Sequence, residues 1–240
     1  MVKKNILRIK ESIAAACSKR GWDPGRITIV AVSKGRSIEQ IREAVDAGIT
    51  DIGENRVQEA LLKYNQLLGF KFSVLGSRIT PNTEHRAPIK WHMVGYLQTN
   101  KVKEAVRIFD LIHSVDSLRL AAEIDRQAFK INKVQDILIE VNTSGEENKY
   151  GIKPQEASAL VKSASGLKNV RLQGLMTIAP IADNPEKARP YFQMLRELRD
   201  EISVSADELP IISMGMTDDF KVAVEEGANM VRIGRAIFEG

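Results

Sequence analysis

The chain has 240 residues, long enough for one large core or two small ones. Lysine and arginine outnumber acidic residues by only 35 to 31, the excess is scattered, and aromatics make up 5%, which argues against a stacking platform for nucleic-acid bases. The single cysteine, Cys17, cannot form an internal disulfide, and no cysteine-histidine cluster has metal-ligand spacing. No apolar run approaches membrane-spanning length, so a cytoplasmic protein without a metal is expected.

In chain order, the basic start Met1-Val2-Lys3-Lys4 leads into a helical pattern over roughly residues 3–20, whose apolar stretch Ile13–Cys17 is too short for an export signal. From there apolar β-type runs alternate with amphipathic helical stretches, the pattern of a parallel sheet. Eight strands are predicted: Ile27–Lys34, Asp51–Asn55, Trp91–Gly95, Leu111–Asp116, Ile137–Asn142, Leu172–Ile178, Pro210–Gly215 and Met230–Gly234. Eight strand-helix units in a chain of this length predict an α/β protein, a single (β/α)8 TIM barrel over residues 1–240 with an extra N-terminal helix. A doubly wound open sheet is the alternative. Glu43–Gly48 and Ala223–Gly227 read alike as helix ends that return to a strand, each with a glycine C-cap. Between Leu68 and Lys90 the periodicity fails, and Gly69, Gly76, Pro81, Asn82 and Pro88 mark a long, mobile insertion on the N-terminal side of the barrel.

Such barrels build their sites at the C-terminal strand ends, with phosphate commonly held after strands seven and eight. Lys34 ends the first, β-branched strand and is followed by Gly35. It reads either as a solvated strand-end lysine or as a buried amine whose lowered pKa suits Schiff-base chemistry. Ser213-Met214-Gly215-Met216-Thr217-Asp218-Asp219 reads either as an ordinary capped helix start or as a phosphate cradle of amides and hydroxyls. Arg232 and Gly234 share one side of the last strand, and an inward arginine needs an acceptor, either a carboxylate or an aromatic ring nitrogen. Asn55 is placed to reach the same mouth. Trp91 and His92 alternate between interior and helix layer; His92 reads as a satisfied core histidine, and His85 and His113 have no evident partner. No paired-carboxylate, Ser-His-Asp or P-loop constellation occurs. Asp218 and Asp219 point in different directions, and the loop with Glu146 and Glu147 is either a cover for the mouth or plain surface.

Together, Lys34, Gly53-Glu54-Asn55, Trp91-His92, Gly95 with Leu97–Lys101, Gly174-Leu175-Met176-Thr177, Ser213–Met216 and Val231-Arg232-Ile233-Gly234 resemble the pyridoxal phosphate homeostasis protein family. Those proteins are similar to the barrel domain of alanine racemase, and the resemblance runs from about Ile27 to the C-terminus. It implies a barrel that binds pyridoxal 5′-phosphate, with Lys34 forming the aldimine, Asn55 near the ring's oxygen substituent and Arg232 facing the pyridine nitrogen. Ser213, Thr217 and the amides around Gly215, Met216 and Gly234 would hold the phosphate. The implied role is buffering or delivery of the cofactor, held by Lys34 without strong catalysis, with recipient enzymes as partners; composition argues against nucleic acid or membrane, and a monomer is expected. An arginine facing the ring nitrogen disfavours its protonation and makes a poor electron sink, and no second domain is expected to supply the opposing base that racemisation needs. A pyridoxal phosphate-dependent racemase and a Schiff-base aldolase are the alternatives. Two departures stand out: Thr217 replaces a common serine, and Arg235 occupies a place where a small hydroxyl residue is frequent, either adding charge to the phosphate site or pointing outward.

Overall fold

The computed structural model describes residues 1–75, 89–203 and 208–239. Helix α1 (Val2–Ser18) precedes strand β1 (Thr28–Val32), which leads through α2 (Ile38–Asp46) to β2 (Asp51–Glu54), α3 (Val57–Leu75) and β3 (Lys90–Met93). The alternation continues with α4 (Val102–Ile108), β4 (Leu111–Val115), α5 (Leu118–Lys130), β5 (Gln135–Glu140), α6 (Pro154–Ser165) and β6 (Val170–Met176). It ends with α7 (Arg189–Ile202), β7 (Ile211–Ser213), α8 (Phe220–Glu225), β8 (Met230–Ile233) and the short α9 (Arg235–Phe238). Each strand pairs in parallel with the next and β8 closes on β1, so the sheet is a barrel and the open-sheet alternative falls away.

Two apolar layers follow from the strand period of two. Residues of inward parity, among them Val30, Leu111, Leu138, Met176 and Met230, fill the barrel, and the larger outer layer lies between sheet and helices. Trp91 belongs to that outer layer, edge-on to Tyr64 of α3 at 5.9 Å between ring centroids, and His92 is the one of the pair that turns inward. Helix α1 buries Val2, Ile6, Ile9, Ile13 and Ala16, a stripe at helical spacing, and packs against α2, α8 and α9. Its end is tied to α8 by charge: Lys19 pairs with Glu225 at 2.5 Å, and the buried Glu226 accepts from Arg189 and Arg196, each at 2.6 Å.

Gly48 and Gly227 take φ +90° and +104°, the left-handed conformation expected of the two helix-to-strand returns. The helix after β2 differs from expectation, since it continues to Leu75, past the point where sequence periodicity fails. The central part of the expected insertion, residues 76–88, lies outside the described residues. Among the described residues no helix is long and apolar enough to cross a membrane.

Candidate functional site

At the C-terminal mouth, β1 stops at Val32, earlier than its apolar run suggests. The chain turns there because the Arg36 amide donates to the Ser33 carbonyl at 2.9 Å and Gly35 adopts φ +67°. Lys34 therefore sits on the turn, exposed, and its amine has no hydrogen bond or ion pair to a described residue. Of the two readings of Lys34 the structure has the exposed one: the strand ends too soon to carry it into the barrel.

The turn itself is held from behind. Lys63 of α3 is buried and donates to the Ser33 carbonyl and to Oε1 of Glu54, both at 2.6 Å, and to Oε1 of Glu59 at 2.7 Å. Glu59 in turn accepts the Gly35 amide at 2.6 Å, and the Ser33 hydroxyl donates to Glu54 at 2.5 Å. Both neighbours of Lys34 are thus fastened to one buried ion cluster. Burial pushes the Glu54 carboxyl above its ordinary range, against the pull of the Lys63 and Ser33 hydrogen bonds.

Asn55 follows β2 at inward parity, half-buried, with its backbone against Gly95; a Cβ at Gly95 would fall 2.6 Å from the Asn55 carbonyl oxygen. Across the barrel, Arg232 is buried, donating from one Nη to Oγ of Ser213 at 2.7 Å and from the other to the Thr177 carbonyl at 2.8 Å. No carboxylate of a described residue lies within ion-pair distance of it. Burial pushes its pKa down to about 10, with Glu140 and Asp219 opposing, so the guanidinium remains protonated near neutrality. A buried cation held only by neutral acceptors is ready for an external acceptor.

The Ser213 hydroxyl is buried inside the barrel and already bonded to Arg232 and, at 3.1 Å, to Nδ1 of His113, so it stands behind Arg232. The Met216 amide is also taken, donating to Oδ1 of Asp219 at 2.6 Å. What remains of the expected cradle is Gly215 at φ +90°, packed on Phe220 and Ala223, with the Thr217 and Asp218 amides making no hydrogen bond to a described residue. The Thr217 hydroxyl accepts the Ala236 amide at 3.4 Å, and Gly234 approaches β1 so closely that a Cβ would lie 3.3 Å from the Val32 carbonyl oxygen. These residues draw the β7 and β8 ends together beside β1. Arg235 is exposed and paired with Asp218, which answers the open question of its direction: it points outward.

Three features escaped sequence reasoning. His113, expected to lack a partner, forms with His92 a buried chain inside the barrel. Glu140, at inward parity on β5, is buried with its pKa pushed up to about 7 by desolvation; Arg232 opposes the shift and Asp116 adds to it. Finally, Tyr150 stacks on Tyr96 at 4.2 Å, so the loop after β5 leans over the mouth toward the β3 end.

A closed parallel barrel with an exposed amine after β1, a buried cation on β8 and a tight amide turn after β7 defines a class of barrels that can hold an anionic carbonyl compound. Residues 19–240 match the family model of the alanine racemase N-terminal domain. The pyridoxal phosphate homeostasis protein of Aquifex aeolicus is 44% identical over 98% of this chain and 96% of its own length. The structure of PipY from Synechococcus elongatus PCC7942 with PLP bound is similar at 31% identity and TM-score 0.78, over 99% of this chain and 100% of that one. An alanine racemase of Clostridium difficile 630 shares the fold at 14% identity and TM-score 0.70, over 98% of this chain and 58% of that one. The chain belongs to the alanine racemase N-terminal domain family and, within it, to the pyridoxal phosphate homeostasis proteins.

Proposed function

We propose that this barrel binds pyridoxal 5′-phosphate and buffers or delivers it to recipient enzymes. The observation that carries this reading is the donor set at one mouth: an amine at Lys34, a buried protonated guanidinium at Arg232 and amides at Thr217 and Asp218, none of which has a carboxylate or carbonyl partner among the described residues except the Thr177 carbonyl on Arg232. An aldehyde, a ring nitrogen and a phosphate call for those three groups in that order. When bound, the cofactor supplies an electrophilic aldehyde and an electron-withdrawing ring. Lys34 presents its amine to the aldehyde, and the Lys63 cluster keeps the turn from collapsing. Arg232 would donate toward the ring nitrogen and disfavour its protonation. Asn55 would lie toward the ring's oxygen substituent, and the amides near Gly215 and Gly234, with Thr217, would hold the phosphate. The family resemblance supports all of these roles, and the single domain 1–240 is proposed as one binding unit.

Holding rather than turning over is the proposed role, since a ring nitrogen kept unprotonated is a weak electron sink. The buried, unpaired Cys17 is in keeping with a reducing cytoplasm. Adding pyridoxal phosphate to the purified protein is expected to give a band near ~420 nm that Lys34→Ala abolishes, with negligible alanine racemisation at high protein concentration. A colourless wild-type protein overturns the binding reading, and racemisation at an ordinary enzymatic rate overturns the holding role.

A further inference from the structure

Inside the barrel, behind Arg232, runs a continuous line of hydrogen bonds that none of the cofactor contacts requires. Arg232 donates to Oγ of Ser213 at 2.7 Å, and Ser213 meets Nδ1 of His113 at 3.1 Å. Nε2 of His113 lies 2.9 Å from Nδ1 of His92, whose Nε2 lies 2.9 Å from Oδ1 of Asp51. Asp51 begins β2, so the line crosses the barrel from the mouth to the opposite end, where Asp51 lines an open cavity of about 580 Å³ with Arg26, Lys90 and Lys133.

The two ends dictate its direction. A guanidinium has no acceptor and a carboxylate no donor. Ser213 therefore accepts from Arg232 and, when both rings are neutral, donates to His113. With neutral rings, His113 carries its hydrogen on Nε2 and gives it to His92, which carries its own on Nε2 and gives it to Asp51. Placing the hydrogen on Nδ1 of His113 instead leaves a bare His92 nitrogen facing a carboxylate oxygen, unless His92 is a cation. Burial keeps the middle of the line neutral at His113, and the far end is kept an acceptor at Asp51. Burial drives the His113 pKa well below the usual value, with His92 and Arg232 adding to the effect. Burial raises the Asp51 carboxyl, but hydrogen bonds from His92 and Thr50, together with charge at His92 and Lys90, outweigh it and hold the group below its ordinary range, so Asp51 accepts.

We propose that Asp51, His92, His113 and Ser213 are positioning residues for the cofactor, a one-way hydrogen-bond line that fixes Arg232 toward the ring nitrogen from the far end of the barrel. The proposal rests on the reading of Arg232 given above. Each hydrogen in the line has one place to go, so the Ser213 lone pair that receives Arg232 is fixed by a carboxylate three groups away. A serine free to rotate would let the guanidinium rotate with it, and a rotated fork no longer matches a single in-plane acceptor.

The chain has three histidines, so nitrogen NMR of the cofactor-free protein labelled at histidine resolves their tautomers directly. His92 and His113 are expected to carry hydrogen on Nε2 alone; hydrogen on Nδ1 of His113 overturns the proposal without any variant. The second readout is the affinity ratio between pyridoxal phosphate and its 1-deaza analogue, which lacks the ring nitrogen. Wild type is expected to prefer the former by about tenfold, the value of one charge-assisted hydrogen bond. Asp51→Leu is expected to bring the ratio near one, and Asp51→Asn, which keeps an acceptor, to restore it. A full preference in Asp51→Leu overturns the line while leaving the Arg232 contact standing. A wild-type ratio of one overturns both, and Arg232→Gln separates the cases, since it erases the preference only if the contact exists.

Discussion

Gly174→Ala is expected to lower the stability of this barrel by about 4 kcal/mol, in the exceptional range for one methyl group. Gly174 lies in β6 at φ +154°, and a Cβ built there falls 1.9 Å from the carbonyl oxygen of Ile211 and 2.7 Å from its carbonyl carbon. Those atoms are backbone of β7, paired with β6 through Gly174↔Ile211, Leu175↔Ile212 and Met176↔Ser213. No rotamer change relieves the contact. The ladder must open, and each buried backbone hydrogen bond lost costs about 1 kcal/mol or more. Gly35 supplies the control: its φ is +67°, but no atom lies within 4 Å of a Cβ there, so Gly35→Ala costs only the left-handed conformation, about 1 kcal/mol. Thermal melts check the pair, with midpoint losses of roughly 10 °C for Gly174→Ala and roughly 3 °C for Gly35→Ala. Equal losses in the two variants would contradict the steric argument.

Glu140→Gln is expected to stabilise the protein by about 3 kcal/mol near pH 8 and by less than about 1 kcal/mol near pH 5. Burial raises the Glu140 carboxyl to about 7 from 4.5. Between those values the folded state holds a proton that the unfolded state has released. The stability tied to this proton is fully present below the unfolded value and is lost as pH rises through the folded value, where the buried group must carry charge. Glutamine keeps the shape and removes the ionisation, so its advantage grows with pH. Urea unfolding at the two pH values measures it; an advantage independent of pH would show that desolvation of Glu140 is not its source. Because Glu140 faces the mouth beside Arg232, the same ionisation tunes how positive that end of the site is.

Much of this was legible in the sequence for one physical reason. A parallel strand buried on both faces shows its inward residues at every second position. That parity placed Arg232 and Gly234 together and sent Trp91 and His92 to opposite layers, while helix-end chemistry marked the left-handed glycines after α2 and α8. What parity does not reveal is which inward residues meet across the barrel. His92 and His113 lie 21 residues apart on adjacent strands and touch only because β3 and β4 pair His92 with Leu111, offsetting the two rings by one inward step. Ser213 was read as a phosphate ligand because it neighbours the turn, whereas its inward parity commits the hydroxyl to Arg232. The Lys63 latch left a partial trace, since Glu59 and Lys63 are four apart on α3; its third member, Glu54, faces outward from β2 and is joined only by packing. The choice between a solvated and a buried Lys34 stayed open because its apolar run gives no sign that the strand stops at Val32.

The most direct measurement is borohydride reduction of the protein after addition of pyridoxal phosphate, followed by peptide mass mapping. One cofactor per chain, attached to the peptide that contains Lys34, is the expected result. A chain that carries no label, or one whose label resides wholly on another lysine while Lys34 stays unmodified, would contradict the claim that the amine after β1 is where this barrel takes hold of its cofactor.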